Sequence, residues 1–344
     1  MWGSSAARIS SMPADIVCDN ACYSFFAAYR LGLALFLYHA IQALILVGVT
    51  EADDSRASLQ NGFWSLKPFV LLGIAIGCFF IPYWLVAKMF WPILIAGILF
   101  MVVQGVLLVD LSFSWAEGIL EGAERGKTIF KLLMIGLTIS FLAIAVITVA
   151  VVFWKFDRSL ERGLVIANSL LIVVMSVCSV LPSVQDATPS AGIFQSSLLG
   201  IYSLFVLVSA YIDDPSRSGT KSPIFDIIVT VVNVVFAYLA IAQVSFSIGS
   251  NLARLGPSSK GTFDTSDEAA GRYNYSLFHV NFALAALFTV LYITFWQGID
   301  LSTGKVKIVE SAVGYWSRVL ASWGVGGLYI WSLYAPIVLD SRSF

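Results

Sequence analysis

Long apolar runs, separated by short polar segments, fill almost the whole chain. Most runs reach the ~18–20 residues needed to cross a bilayer as a helix. The pattern predicts spans over residues 25–49, 63–86, 90–121, 128–156, 164–181, 193–212, 224–248, 273–296 and 313–339. An all-α, polytopic transmembrane helical bundle of about nine spans is therefore expected. An odd number of spans places the two termini on opposite sides of the membrane.

The run at 90–121 is the longest without a break. Pro92 falls in its first turn, where a missing N–H is tolerated. Asp110, Ser112, Ser114, Trp115 and Glu117 arrive without a glycine or proline to stop the helix. A continuous helix would measure ~48 Å at 1.5 Å per residue, against a hydrocarbon core of ~30 Å. Such a helix must tilt or extend past the interface. Asp110, Ser114 and Glu117 share one face at i, i+4 and i+7. Gln104 lies nearer mid-membrane and on a different face.

Elsewhere the punctuation is local. Lys67-Pro68 marks the entry of the second span and Pro82 its exit, and Pro336 interrupts the last. Gly73 and Gly77 form a small-xxx-small motif, normally read as close helix packing. The polar stretch 249–272 is the longest in the chain, and its composition predicts a mobile loop.

Composition agrees with the pattern. The chain has 344 residues, 58% hydrophobic and 12% charged, against ~25% charged in soluble domains. The net charge of −1 speaks against a nucleic-acid partner. Residues 1–20 have no apolar core of a cleavable signal peptide. Cys78 and Cys178 fall in apolar runs as packing residues. Cys18 and Cys22 lie in the N-terminal segment and could pair in an oxidising lumen or remain thiols. Apart from Arg30 and Arg318, which lie inside spans, lysines and arginines divide nine against nine between the two faces of the predicted topology. The charge rule for orientation therefore does not decide it.

Candidate chemistry is sparse. The sequence holds no hydrolase, kinase or metalloprotease motif and no CxxC pair. His39 and His279 alone do not make a conventional metal site and read as hydrogen-bonded interior residues. No enzymatic role, cofactor or metal is expected. The densest polar groups at membrane depth are Gln104, Asp110, Ser114 and Glu117, then Gln195, Ser196 and Ser197, then Tyr273, Tyr275 and His279. Polar residues inside a membrane face protein or a wet cavity. They serve either as helix–helix hydrogen bonds or as the lining of a headgroup path. Asn274-Tyr275-Ser276 spells a glycosylation sequon, but it abuts the membrane boundary and is expected to be unused.

Six segments together resemble one known family. They are AAYRLGLALF around Arg30, NGFWSLKPFVLLGIAIGCFFIP from Asn61, QGVLLVDLSFSWAEGI in the long run, LPSVQDATPSAGIFQSSLLGIYSLFVLVSA, YNYSLFHVNFALAALFTVLYITFW and WGVGGLYIWSLYAPIVL. In this order they are similar to the serine incorporator (SERINC) family. The sequence departs from the family in lacking its first span and in carrying Trp115-Ala116-Glu117 where Trp-Asn-Glu is usual. The loop at 249–272 is also shorter than in many relatives.

The resemblance implies two helical subdomains joined by a long diagonal helix at about 90–121. It implies a luminal N-terminal segment, 1–24, a transmembrane domain over 25–344, and a cytoplasmic loop at 249–272. The location implied is an endomembrane or the plasma membrane. It implies lipid handling, either as an energy-independent phospholipid scramblase or as an accessory that promotes serine incorporation into phosphatidylserine and sphingolipids. Partners would be glycerophospholipids, sphingolipids and, for the accessory role, lipid-biosynthetic enzymes. An ion-coupled transporter fits less well, since no inverted repeat is visible and intramembrane acids are few. The path hypothesis places Asp110 and its neighbours between the two subdomains.

Overall fold

The structure is a computed structural model that describes residues 20–50, 53–212, 275–300, 307–309 and 312–340, with isolated positions at 227, 231, 232, 234, 235 and 238. Cys18, Tyr273, the sequon's Asn274, most of the expected span at 224–248 and the loop at 249–272 lie outside the described residues. Among the described residues, seven helices are long and apolar enough to cross a membrane. The chain divides into two compact units, one of residues 1–100 and 227–311, the other of residues 101–226 and 312–344.

The first unit holds α1 (Asn20–Ile45), the short α2 (Ser58–Asn61), α3 (Lys67–Phe79), α4 (Tyr83–Lys88), the start of α5 (Phe90–Glu124) and α10 (Tyr275–Ile293). An antiparallel hairpin follows, β1 (Gly298–Asp300) with β2 (Lys307–Val309), in the register Gly298 to Val309. Its core is the packing of α1 and α5 on α10. A Cβ on Gly32 would lie 1.9 Å from Val290, and one on Gly97 would lie 2.2 Å from Leu291. These glycines let the backbones approach closely, as lipid-embedded helices require. The rings of Phe100 and Phe288 meet at a tilt of 48°, 4.9 Å apart. Arg30, which the apolar pattern would expect to snorkel, is instead buried. Its guanidinium donates to the Ile81 carbonyl at 2.9 Å and lies 5.8 Å from the Phe26 ring.

The second span is shorter than the sequence suggests. α3 ends at Phe79, and α4 restarts after Pro82, whose ψ of 142° is extended. Proline cannot donate a backbone bond and pushes its predecessor out of the helical region. At 13 residues, α3 is about 20 Å long. The expected tight packing at Gly73 and Gly77 is not found. A Cβ at either would meet nothing within 4 Å among the described residues.

The second unit holds the rest of α5, α6 (Thr128–Lys155), α7 (Ser159–Ser179), the short α8 (Pro182–Ala187), α9 (Ile193–Ile212) and α11 (Ala312–Asp340). α5 is continuous for 35 residues, as the absence of breakers predicts. α9 is the central element: 72% of its most apolar window is buried, against 6% for α6. Val165, Ile172, Leu204, Leu207, Tyr211 and Val319 form the core between α7, α9 and α11. Gly200 sits against Ile172, with 3.0 Å available to a Cβ. The Ser203 hydroxyl proton is shared between Asn168 Oδ1 at 2.8 Å and the Ser322 carbonyl at 2.6 Å. One residue of α9 thereby fastens both neighbours.

The interruption expected at Pro336 does not occur, and α11 runs through it to Asp340. Pro336 lies only four residues from that end. Membrane helices tolerate proline where the freed carbonyl finds another partner.

Candidate functional site

The segment between α7 and α9 organises the most polar part of the second unit. Leu181 is extended, with ψ of 138°, and Pro182 opens α8. The amide of Gln185 then reaches both ways. Its Nε2 donates to the Ser179 carbonyl at 2.6 Å and to the Ala191 carbonyl at 2.7 Å. It thus closes the gap between the end of α7 and the start of α9. Tyr329 of α11 donates its hydroxyl to the Gly192 carbonyl at 3.3 Å. From α5, the carboxylate of Glu117 accepts from Ser190 at 3.2 Å.

This loop floors a cavity of about 560 Å³, walled by Leu120 of α5, by Met134, Ile135, Thr138 and Ile139 of α6, and by the start of α9. The volume is within the ~300–1,000 Å³ usual for small-molecule sites. Its rim is apolar and open: Ile135 is 58% exposed and Ile139 62%. In a membrane protein such a rim faces lipid chains. The floor is polar, with Gln185, Ser190 and Gln195 lining it.

Gln195 is fully buried. Its Nε2 donates to the Ser190 carbonyl, whereas its Oε1 has no hydrogen-bond partner among the described residues. That oxygen lies beside Gly192, 3.6 Å from the position a Cβ there would take. Buried polar atoms are normally bonded. Gln195 lines the cavity while this oxygen is buried, so a turn of the amide toward the cavity would offer the acceptor to an incoming donor.

The residues singled out from the sequence separate into three groups. Glu117, Gln195, Ser196 and Ser197 fall at or beside the cavity. Ser196 lies 2.9 Å from the Ser176 hydroxyl of α7, and Ser197 donates back to the Phe194 carbonyl at 2.8 Å. Ser196 therefore links α9 to α7, whereas the Ser197 bond stays within α9. Gln104, Asp110 and Ser114 lie along α5, outside the cavity lining. Gln104 is buried, and its Oε1 has no hydrogen-bond partner among the described residues. Tyr275 and His279 belong to the first unit. There the Tyr275 hydroxyl accepts from Asn61 at 3.2 Å, and His279 Nδ1 meets His39 Nδ1 at 3.0 Å. The two histidines are hydrogen-bonded to each other, as interior residues. Cys22 is disulfide-bonded, and Cys78 and Cys178 are free thiols.

Sequence reasoning did not select Gln185, Ser190 or Ser176. The first two stand in the LPSVQDATPSAG stretch, where the signal was a polar, helix-breaking loop rather than any motif. Among the described residues no group of three or more metal-binding side chains comes together.

Comparison with known proteins agrees with this architecture. The family model described as "Serine incorporator (Serinc)" matches residues 4–269 and 252–342. A probable serine incorporator of Monosiga brevicollis is 29% identical over 379 aligned residues, covering 92% of this chain and 78% of the relative. Serine incorporator 3 of Mus musculus is 28% identical, covering 95% and 81%. Membrane protein TMS1 of Saccharomyces cerevisiae is 27% identical, covering 92% and 81%. The match runs over nearly the whole chain and joins a fold of long apolar helices, so this multi-pass membrane protein belongs to the serine incorporator family.

Proposed function

We propose that the protein lets phospholipid headgroups cross the bilayer without an energy source, acting as a facilitator and not as an enzyme. The observation that carries this reading is the cavity of the second unit, whose lining joins exposed apolar residues to Gln195, a buried side chain whose Oε1 has no hydrogen-bond partner among the described residues. Lipid tails stay at the apolar rim, and a headgroup donor bonds Gln195 Oε1 when the amide turns into the cavity. Amine-bearing headgroups fit best, because Gln195 offers an acceptor and Glu117 a carboxylate nearby, bonded to Ser190. Such headgroups are found in phosphatidylserine and other glycerophospholipids, and a choline cation suits the carboxylate alone.

The test is the purified protein in liposomes carrying a fluorescent phosphatidylserine, with dithionite added outside. Protein-dependent bleaching of the inner leaflet is expected. Bleaching equal to that of protein-free liposomes refutes the reading.

A second reading has its own support in the names of two relatives, which are serine incorporators. The same acceptor would hold the amine of serine for a biosynthetic enzyme. That role predicts faster transfer of labelled serine into phosphatidylserine in membranes containing the protein, with no bleaching in pure liposomes.

A further inference from the structure

A different cavity lies in the first unit, between α1, α2 and α3. It measures about 350 Å³ and is lined almost wholly by apolar surface, from Tyr38, Ile41, Ile45, Leu66, Val70 and Ile74 among others. Lys67, the first residue of α3, is the cation in its lining. The Lys67 ammonium donates to the Gln60 carbonyl at 2.6 Å and sits over the Trp64 ring, 3.8 Å from its centroid. Trp64 is 70% exposed, which marks this edge as a membrane–water boundary, where tryptophan concentrates.

The charges at this edge are unequal. Arg56, whose guanidinium donates to the Ile45 and Val47 carbonyls at the end of α1, is matched by Asp54 at 3.0 Å. Lys67 forms no ion pair with any described residue. A lysine ammonium has three donors. One is used on Gln60, and the π face of Trp64 attracts the cation without accepting like a carboxylate. Phe63, which also lines the cavity, holds a φ of +57°, a conformation bulky residues rarely adopt.

We propose that this cavity binds one anionic glycerophospholipid of the adjoining leaflet, with an acyl chain between α1 and α3 and the headgroup phosphate on Lys67. Apart from Gln42 and Lys67 the lining offers little to a polar solute, and it suits an acyl chain. The uncompensated ammonium at the interface selects for negative charge. The site differs from the headgroup cavity of the second unit in its lining and its charge, and it holds lipid in place rather than passing it through.

Native mass spectrometry of the detergent-purified protein tests this, with dioleoylphosphatidylglycerol and dioleoylphosphatidylcholine supplied at equal concentration. Wild type should retain one phosphatidylglycerol in preference to phosphatidylcholine. Lys67→Gln should lower that preference about fivefold, the effect of one lysine near a membrane surface. Lys67→Arg should preserve it. Ile74→Trp, which fills the cavity and leaves Lys67 intact, should abolish retention of either lipid. The Ile74→Trp arm also stands alone if Lys67→Gln protein fails to fold. Undiminished phosphatidylglycerol retention by Ile74→Trp protein, or an unchanged preference in folded Lys67→Gln protein, overturns the proposal.

Discussion

Replacing Gln195 by methionine separates a functional acceptor from a structural one. The side chains are similar in length, and methionine has neither donor nor strong acceptor. Two opposing effects set the stability. The change removes the bond from Nε2 to the Ser190 carbonyl, worth ~0.5–1.5 kcal/mol net. It also removes a fully buried Oε1 that has no partner among the described residues, a desolvation cost of ~1–3 kcal/mol. The sum is near zero or slightly stabilising, so the melting temperature of Gln195→Met protein should equal or exceed that of wild type. Flux should move the other way. A bond from a headgroup ammonium to Oε1 is charge-assisted and contributes ~1.5–3 kcal/mol. At ~1.4 kcal/mol per factor of ten, its loss slows headgroup passage about 10- to 100-fold. The assays are thermal unfolding in detergent and dithionite bleaching in liposomes at matched protein density. A Gln195→Met protein that melts normally and bleaches at the wild-type rate refutes the assignment. A markedly lowered melting temperature refutes the reasoning about the unbonded oxygen.

Ser203→Ala should lower stability by ~1–2 kcal/mol, the model-peptide range for interhelical hydrogen bonds in membranes, because it leaves Asn168 Oδ1 and the Ser322 carbonyl without the hydroxyl donor together. Flux per folded molecule should not change, and denaturant titration against bleaching checks both. Gly200→Val should cost ~1–3 kcal/mol by overpacking, since a Cβ already comes within 3.0 Å of Ile172. Adding Ile172→Ala should restore part of the loss in a thermal scan. Asp110→Asn keeps the shape of α5 and removes a charge. Slower lipid flux at unchanged thermal stability is expected if Asp110 lies on the headgroup path, and lost stability with normal flux would make it a structural pin.

What the sequence determines here is the set of helices. A chain in lipid must satisfy its backbone bonds within each span. Length, apolarity and the position of breakers therefore fix most elements, and the uninterrupted α5 is the clearest case. Proline was less predictable. Pro82 divides a run that reads as one span, whereas Pro336 leaves α11 whole. Which of the two ends a helix is not written in the local apolar pattern.

The candidate site was legible as a region and not as a set of contacts. The LPSVQDATPSAG stretch was conspicuous because polar residues and helix breakers are costly at membrane depth. Which of its side chains close the loop and which face the cavity depends on α5, α6 and α11 arriving from elsewhere in the chain. Glycines show the same division. Gly73 and Gly77 have the spacing of a packing motif but meet nothing within 4 Å among the described residues, while Gly97, flanked at that spacing by Ile93 and Met101, meets Leu291 closely. Spacing states only that two small residues share a face. Tertiary structure decides whether another helix lies on that face, because packing between apolar helices in lipid depends on shape complementarity and not on hydrophobicity.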